Sequence, residues 1–98
     1  MSYRTRILPP AVRQISSWGL SSTMLVEVYL RLREHLPDRP STRLAPTSEA
    51  DGGMLFPFEM VDPENRFCRH TFVFRVYYHS DEVTLIVASG IYRRDVEA

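Results

Sequence analysis

The chain has 98 residues, 44% of them hydrophobic and 24% charged, a balance that fits one globular domain over 1–98 and excludes a disordered or membrane-embedded polypeptide. Its basic residues are all arginine, and twelve of them offset twelve carboxylates to a formal net charge of zero. That balance removes any global electrostatic case for nucleic acid or an anionic membrane, and the lack of lysine excludes Schiff-base chemistry, a lysine base and a Walker-type phosphate loop.

Tyr3 to Leu8 reads as a short strand ended by Pro9-Pro10, because proline fixes φ, lacks a donor and suits the first turn of a helix. The helix that follows gathers Ala11, Val12, Ile15 and Trp18 on one side, and Gly19 supplies a left-handed stop. Ser21, Ser22 and Thr23 offer N-cap oxygens to a second helix. Its Leu25, Val28, Tyr29, Leu32 and Leu36 recur at three- and four-residue steps and face a core, Glu27 and Arg31 pair on the other side, and Pro37 ends the run. Together they predict a helical hairpin. Met1 to Pro10 holds Arg4 and Arg6 without the apolar run that export needs, and the longest aliphatic run is Leu85 to Ala88, so no membrane partner is expected.

Pro37 to Gly53 contains three prolines and two glycines. It reads as a long loop, either a lid or docking segment or a plain linker, anchored by Arg39, Arg43 and Leu44. From Met54 the period becomes two, with Met54, Phe56, Phe58 and Met60 on one face. Pro57 cannot donate to a ladder, which puts this strand at an edge or gives it an irregularity there. Asp62-Pro63-Glu64-Asn65 is a turn.

Phe67 to Gly90 is rich in β-branched and aromatic residues on either side of His79-Ser80-Asp81-Glu82, so it predicts a hairpin. A turn centred on Ser80-Asp81 sets Tyr78 against Val83, Val76 against Leu85 and Phe74 against Val87 on a face that packs on the helices. The same register puts Arg69, Thr71, Val73, Arg75 and Tyr77 on the other face, opposite Tyr92, Gly90, Ala88, Ile86 and Thr84. Ser-Asp is not the pair that two-residue hairpins prefer, so a longer turn and a slipped register stay open. Cys68 is the sole cysteine, which excludes an intramolecular disulfide and points to a reducing, cytoplasmic location. Cys68 and His70 lie on one strand while His79 and Asp81 sit at the far turn, too distant to complete a zinc site with them. Trp18 and the phenylalanines fit core stripes rather than a base-stacking platform.

A short first strand, a helical hairpin, a loop, three antiparallel strands and an arginine-bearing tail form an α+β order that resembles the RelE/ParE family of toxins from bacterial toxin-antitoxin pairs. The likeness rests above all on Phe72-Val73-Phe74-Arg75-Val76-Tyr77-Tyr78, the turn, Val83 to Ser89, and Gly90-Ile91-Tyr92-Arg93-Arg94-Asp95. It implies a strand and helical hairpin packed on an antiparallel sheet, a cognate antitoxin as partner, and neither cofactor nor metal. Members that cleave messenger RNA on the ribosome use metal-free endoribonuclease chemistry, whereas others inhibit DNA gyrase without such a site.

For a cleaving member the resemblance assigns catalysis to Arg93, Tyr92 and Arg75, and RNA contacts to Arg69, Arg94 and Arg43. His70, His79, Glu59 and Tyr92 are the conceivable acids or bases. Thr71 stands where cleaving relatives place an arginine in the central strand, and the last four residues hold no tyrosine or histidine. These departures favour the alternative, a non-catalytic binding protein of the same fold. Everything in the catalytic reading requires Arg75 and Tyr92 to share one face of the sheet.

Overall fold

A computed structural model describes residues 2–47 and 52–97. Strand β1 (Arg4–Ile7) leads into helix α1 (Pro9–Ser17), whose first turn is the proline pair. Helix α2 (Ser22–Leu30) starts where the Ser21 hydroxyl accepts the Met24 N–H at 3.3 Å. It continues through a wide turn over Arg31–His35, closed by Leu36 N–H donating to the Arg31 carbonyl at 2.8 Å. Arg31 and Glu27 pair at 3.1 Å along it. Among the described residues no helix is long and apolar enough to cross a membrane.

The segment read as a long loop carries structure of its own: helix α3 (Pro40–Arg43) and the two-residue strand β2 (Ala45–Pro46). Leu44 is buried, as expected of an anchor. The lid-or-linker question falls partly on residues 48–51, which lie outside the described residues. Strands β3 (Met54–Asp62), β4 (Asn65–Tyr78) and β5 (Thr84–Val96) follow. The sheet order is β1-β5-β4-β3-β2. The sheet is antiparallel except that β1 runs parallel to β5. Strand β2 covers only Met54 and Leu55, so Pro57 lies past its end on the sheet's outermost long strand.

The core forms where the helices meet one face of this sheet. Ala11 and Ile15 of α1, Val28 and Leu32 of the second helix and Phe56, Phe72, Phe74, Val76, Leu85 and Val87 of the strands are buried there. Burial of such side chains is the main favourable term of folding, about 1.5–3 kcal/mol for each large one.

The β4–β5 register differs from expectation in two steps. Tyr78 faces Leu85 and Val76 faces Val87, a shift of two residues. The turn is longer than two residues: His79 N–H donates to the Thr84 carbonyl, and the Asp81 carboxylate accepts from Val83 N–H, Thr84 N–H and the Thr84 hydroxyl. A shift of two leaves every side chain on its expected face.

The second step does not. The register shifts again between Arg75 and Val76, so that Ser89 faces Arg75, Gly90 faces Phe74 and Tyr92 faces Phe72. This bulge turns the rest of β5 over, which a bulge does by inserting an unpaired residue into one strand. Gly90 shows why it sits there. A Cβ on Gly90 would lie 2.6 Å from ring atoms of Phe74 and 3.1 Å from Trp18, and its N–H donates to the Gln14 side chain of α1 at 2.7 Å. The helix thus docks on bare backbone at this point.

Candidate functional site

The bulge decides which groups meet. Tyr92 joins Phe72 on the helix side, its ring stacked on Trp18 at 5.4 Å and on His70 at 5.7 Å. Arg75 stays with Leu55 and Ser89 on the opposite side. The expectation that Arg75 and Tyr92 share a face is therefore overturned, and with it the catalytic grouping of Arg93, Tyr92 and Arg75 read from the sequence; the reason is the extra residue in β5 that alternation alone does not reveal.

On the helix side a cleft of about 290 Å³ opens between the α1–α2 junction and the far end of the sheet. Trp18, Leu20, Met24, Asp62, His70, Tyr92 and Arg94 line it. His70, only 4% exposed, bridges two polar groups in its wall. Its Nε2 lies 2.8 Å from Asp62 Oδ1, and its Nδ1 lies 2.6 Å from the Tyr92 hydroxyl oxygen. Cys68, buried two residues earlier on the same face, has its sulfur 3.7 Å from Nε2 and accepts from Arg94 Nε at 3.2 Å.

The charge states follow from these bonds. Asp62 is held below the ordinary carboxylate range, chiefly by its hydrogen bond with His70 and then by the Glu64 N–H. An ionised carboxylate only accepts, so the His70 Nε2–H donates to Asp62, and in that tautomer Nδ1 accepts the Tyr92 O–H. Burial pushes the Tyr92 phenol up, against the opposing pull of Arg94. Tyr92 is thus a neutral phenol at neutral pH, with its oxygen lone pairs left for the cleft.

A carboxylate, an imidazole and a phenol in sequence make a proton relay. Such a chain can take a proton at the Tyr92 oxygen while the phenol proton moves to His70 Nδ1, with Asp62 placed to stabilise the imidazolium. Arg94 reaches the same cleft. The interaction with Cys68 raises its pKa further, so it is a permanent cation there.

The residues proposed from sequence are divided among three places. Tyr92 and Arg94 belong to the cleft. Arg93, Arg75 and Arg69 stand on the opposite face of the sheet, where Arg93 pairs with Asp95 at 2.9 Å and Arg69 with Glu59 at 3.4 Å. Arg43 is in α3, bound to His35 at 2.6 Å and to Asp38 at 3.4 Å. Burial and the Arg43 charge lower the pKa of His35. His79 sits beside Asp81 at the turn, at 3.6 Å. The member that sequence reading missed is Asp62, which looks like an ordinary turn residue. Its only local signal is that it ends β3 in step with Met54, Phe56, Phe58 and Met60, the face turned to the helices.

Similarity to known proteins is a matter of shape. No protein-family model matches the sequence, and no curated protein matches it. The chain superimposes on one chain of the RelBE2 toxin-antitoxin complex from Mycobacterium tuberculosis with a TM-score of 0.69 and 15% sequence identity, over 95% of this chain and 93% of that one. The five-stranded sheet, the helical hairpin laid on one face of it and this superposition together give the protein a RelE-like toxin fold.

Proposed function

We propose that the protein is the toxin of a toxin-antitoxin pair and cleaves RNA without a metal at the cleft between α1 and the bulged end of β5. The observation that carries this reading is the Asp62–His70–Tyr92 chain ending on a phenol beside Arg94. In-line cleavage of RNA needs a base for the 2′-hydroxyl, a cation for the charge on the phosphorane and an acid for the departing 5′-oxygen. The relay takes the 2′-hydroxyl proton through Tyr92 to His70 and Arg94 holds the charge on the phosphorane, while water on the far side of the phosphorus protonates the departing 5′-oxygen and the imidazolium then returns its proton to solvent. Arg93, Arg75 and Arg69, on the opposite face, then serve as contacts to backbone phosphates rather than as catalysts, and Arg43 adds a further such contact. A cognate antitoxin holds the protein inactive in the cytoplasm, and the ribosome presents the messenger RNA.

The test is tightly controlled expression with mapping of cellular RNA ends. Tyr92→Phe and Arg94→Ala should abolish cleavage, and Arg93→Ala should only weaken it. Cleavage that survives Tyr92→Phe rejects the relay. A second reading, inhibition of a protein target such as gyrase, is favoured by the near-complete burial of His70 and by Thr71 in the central strand. Growth arrest with intact RNA selects that reading.

A further inference from the structure

Asp62, Cys68 and His70 each offer one donor atom within 4.8 Å of the others. From this geometry we propose that the three residues form a binding site for a borderline-soft divalent cation, zinc above all. The site goes beyond the RNA-cleaving reading but shares residues with it, and metal binding is measurable without any RNA.

The donor set suits that class of ion: one thiol, one imidazole and one carboxylate are zinc's usual ligands. Tetrahedral zinc, with bonds of about 2.3 Å to sulfur and about 2.0 Å to nitrogen or oxygen, separates its ligands by about 3.3–3.6 Å. The Cys68 sulfur already lies 3.7 Å from His70 Nε2. The Asp62 oxygen, at 2.8 Å from Nε2, has to open by roughly half an ångström to reach that spacing. It has room to do so, because Asp62 sits at the irregular end of the β3–β4 ladder, half-buried and beside the cleft.

The surroundings are those of a ligand shell. Asp62 Oδ2 accepts the Glu64 N–H at 2.9 Å, which anchors the carboxylate while leaving Oδ1 to face the metal. His70 Nδ1 is engaged by the Tyr92 oxygen, the second-shell hydrogen bond that fixes the tautomer and ring plane of a ligating histidine. In the metal-bound form the ring is neutral and Nδ1 carries its proton, so Nδ1–H donates to Tyr92. Arg94 Nε–H donates to the Cys68 sulfur at 3.2 Å, which supports a thiolate. On binding, the cation replaces the Cys68 S–H proton, and three protein donors leave the fourth position to solvent. The metal also takes the Nε2 nitrogen that Asp62 otherwise holds, so zinc occupancy and the proton relay exclude each other.

Cobalt(II) titration of the purified full chain tests the site, because a thiolate ligand gives a near-ultraviolet charge-transfer band and a tetrahedral field gives intense visible bands. One equivalent should bind with both signatures. Cys68→Ser should remove the charge-transfer band, and Asp62→Ala, at a half-exposed position, should weaken binding roughly tenfold or more. His79→Ala should change nothing, and zinc should displace the cobalt. Circular dichroism checks that each variant is folded. Absence of binding to the folded wild-type chain, or a charge-transfer band that survives Cys68→Ser, overturns the site. RNA cleavage is absent from these readings, so failure of the metal site leaves the ribonuclease reading standing, and the converse holds as well.

Discussion

Strand β4 has an aspartate–histidine pair at each end, and the two pairs do opposite things. At the β4–β5 turn, Asp81 spends its oxygens on Val83, Thr84 and the exposed ring of His79, all within three residues, with Arg4 of β1 at 3.8 Å. At the other end, Asp62 binds His70 across the β3–β4 ladder, and His70 passes the connection to Tyr92, twenty-two residues away. The first arrangement closes a loop and ends in solvent. The second is buried against Trp18 and ends in a cleft. A chemically identical pair is thus structural where its partners are local and exposed, and a candidate for chemistry where they are distant and the histidine is buried, because low dielectric around the ring strengthens its bonds.

The strongest way to break the contrast is to remove the apolar floor of the buried end. Phe72→Ala should cost about 3–5 kcal/mol in denaturant unfolding, through loss of a fully buried ring that touches Trp18, Phe58 and Tyr92. The bulge itself is probed by Gly90→Ala, whose new methyl meets the Phe74 ring at 2.6 Å. A loss of about 1–3 kcal/mol is expected, with altered tryptophan fluorescence as Trp18 shifts. An unchanged melting temperature there would mean that Phe74 and Trp18 yield freely.

Tyr92→Phe keeps the ring and deletes only the hydroxyl, leaving Nδ1 of a buried histidine without its partner. About 1–3 kcal/mol of stability should go with it, read by thermal denaturation. The smallest effect belongs to the exposed end and shows in pH dependence. Asp81 is held down to about 2 from an ordinary 3.8, first by the Thr84 hydroxyl and then by the Val83 and Thr84 N–H groups. A depressed folded-state pKa contributes stability that is present above 3.8 and is lost as pH falls towards 2. Acid titration of Asp81→Asn should therefore show a shallower loss across that window, while the part due to Asp62, also depressed, persists.

Much of the fold is legible along the chain. The proline pair before α1, the Ser21 cap, the left-handed Gly19 at φ +67° and the switch to period two at Met54 each act through neighbouring residues, and each is found in place. The parallel pairing of β1 with β5 was not legible, since pairing direction depends on where the helical hairpin returns the chain. Nor was the short β2, whose two residues gain their strand character only from Met54 and Leu55 across the ladder.

Local chemistry by itself determined where α1, α2 and the long strands form and which side chains of Phe72 to Tyr78 point inward, because propensity and periodicity act over a few residues. Tertiary structure alone decided on which face Tyr92 and Arg94 emerge and that Asp62 meets His70. The first outcome hangs on the unpaired Ala88 of β5, two residues before Gly90, where the packing of Trp18 and Phe74 over that glycine holds the bulge, and the second on the register of β3 against β4, which shifts at Asp62. A bulge has no periodic signature, so only the docked helix could set the parity of the strand beyond it.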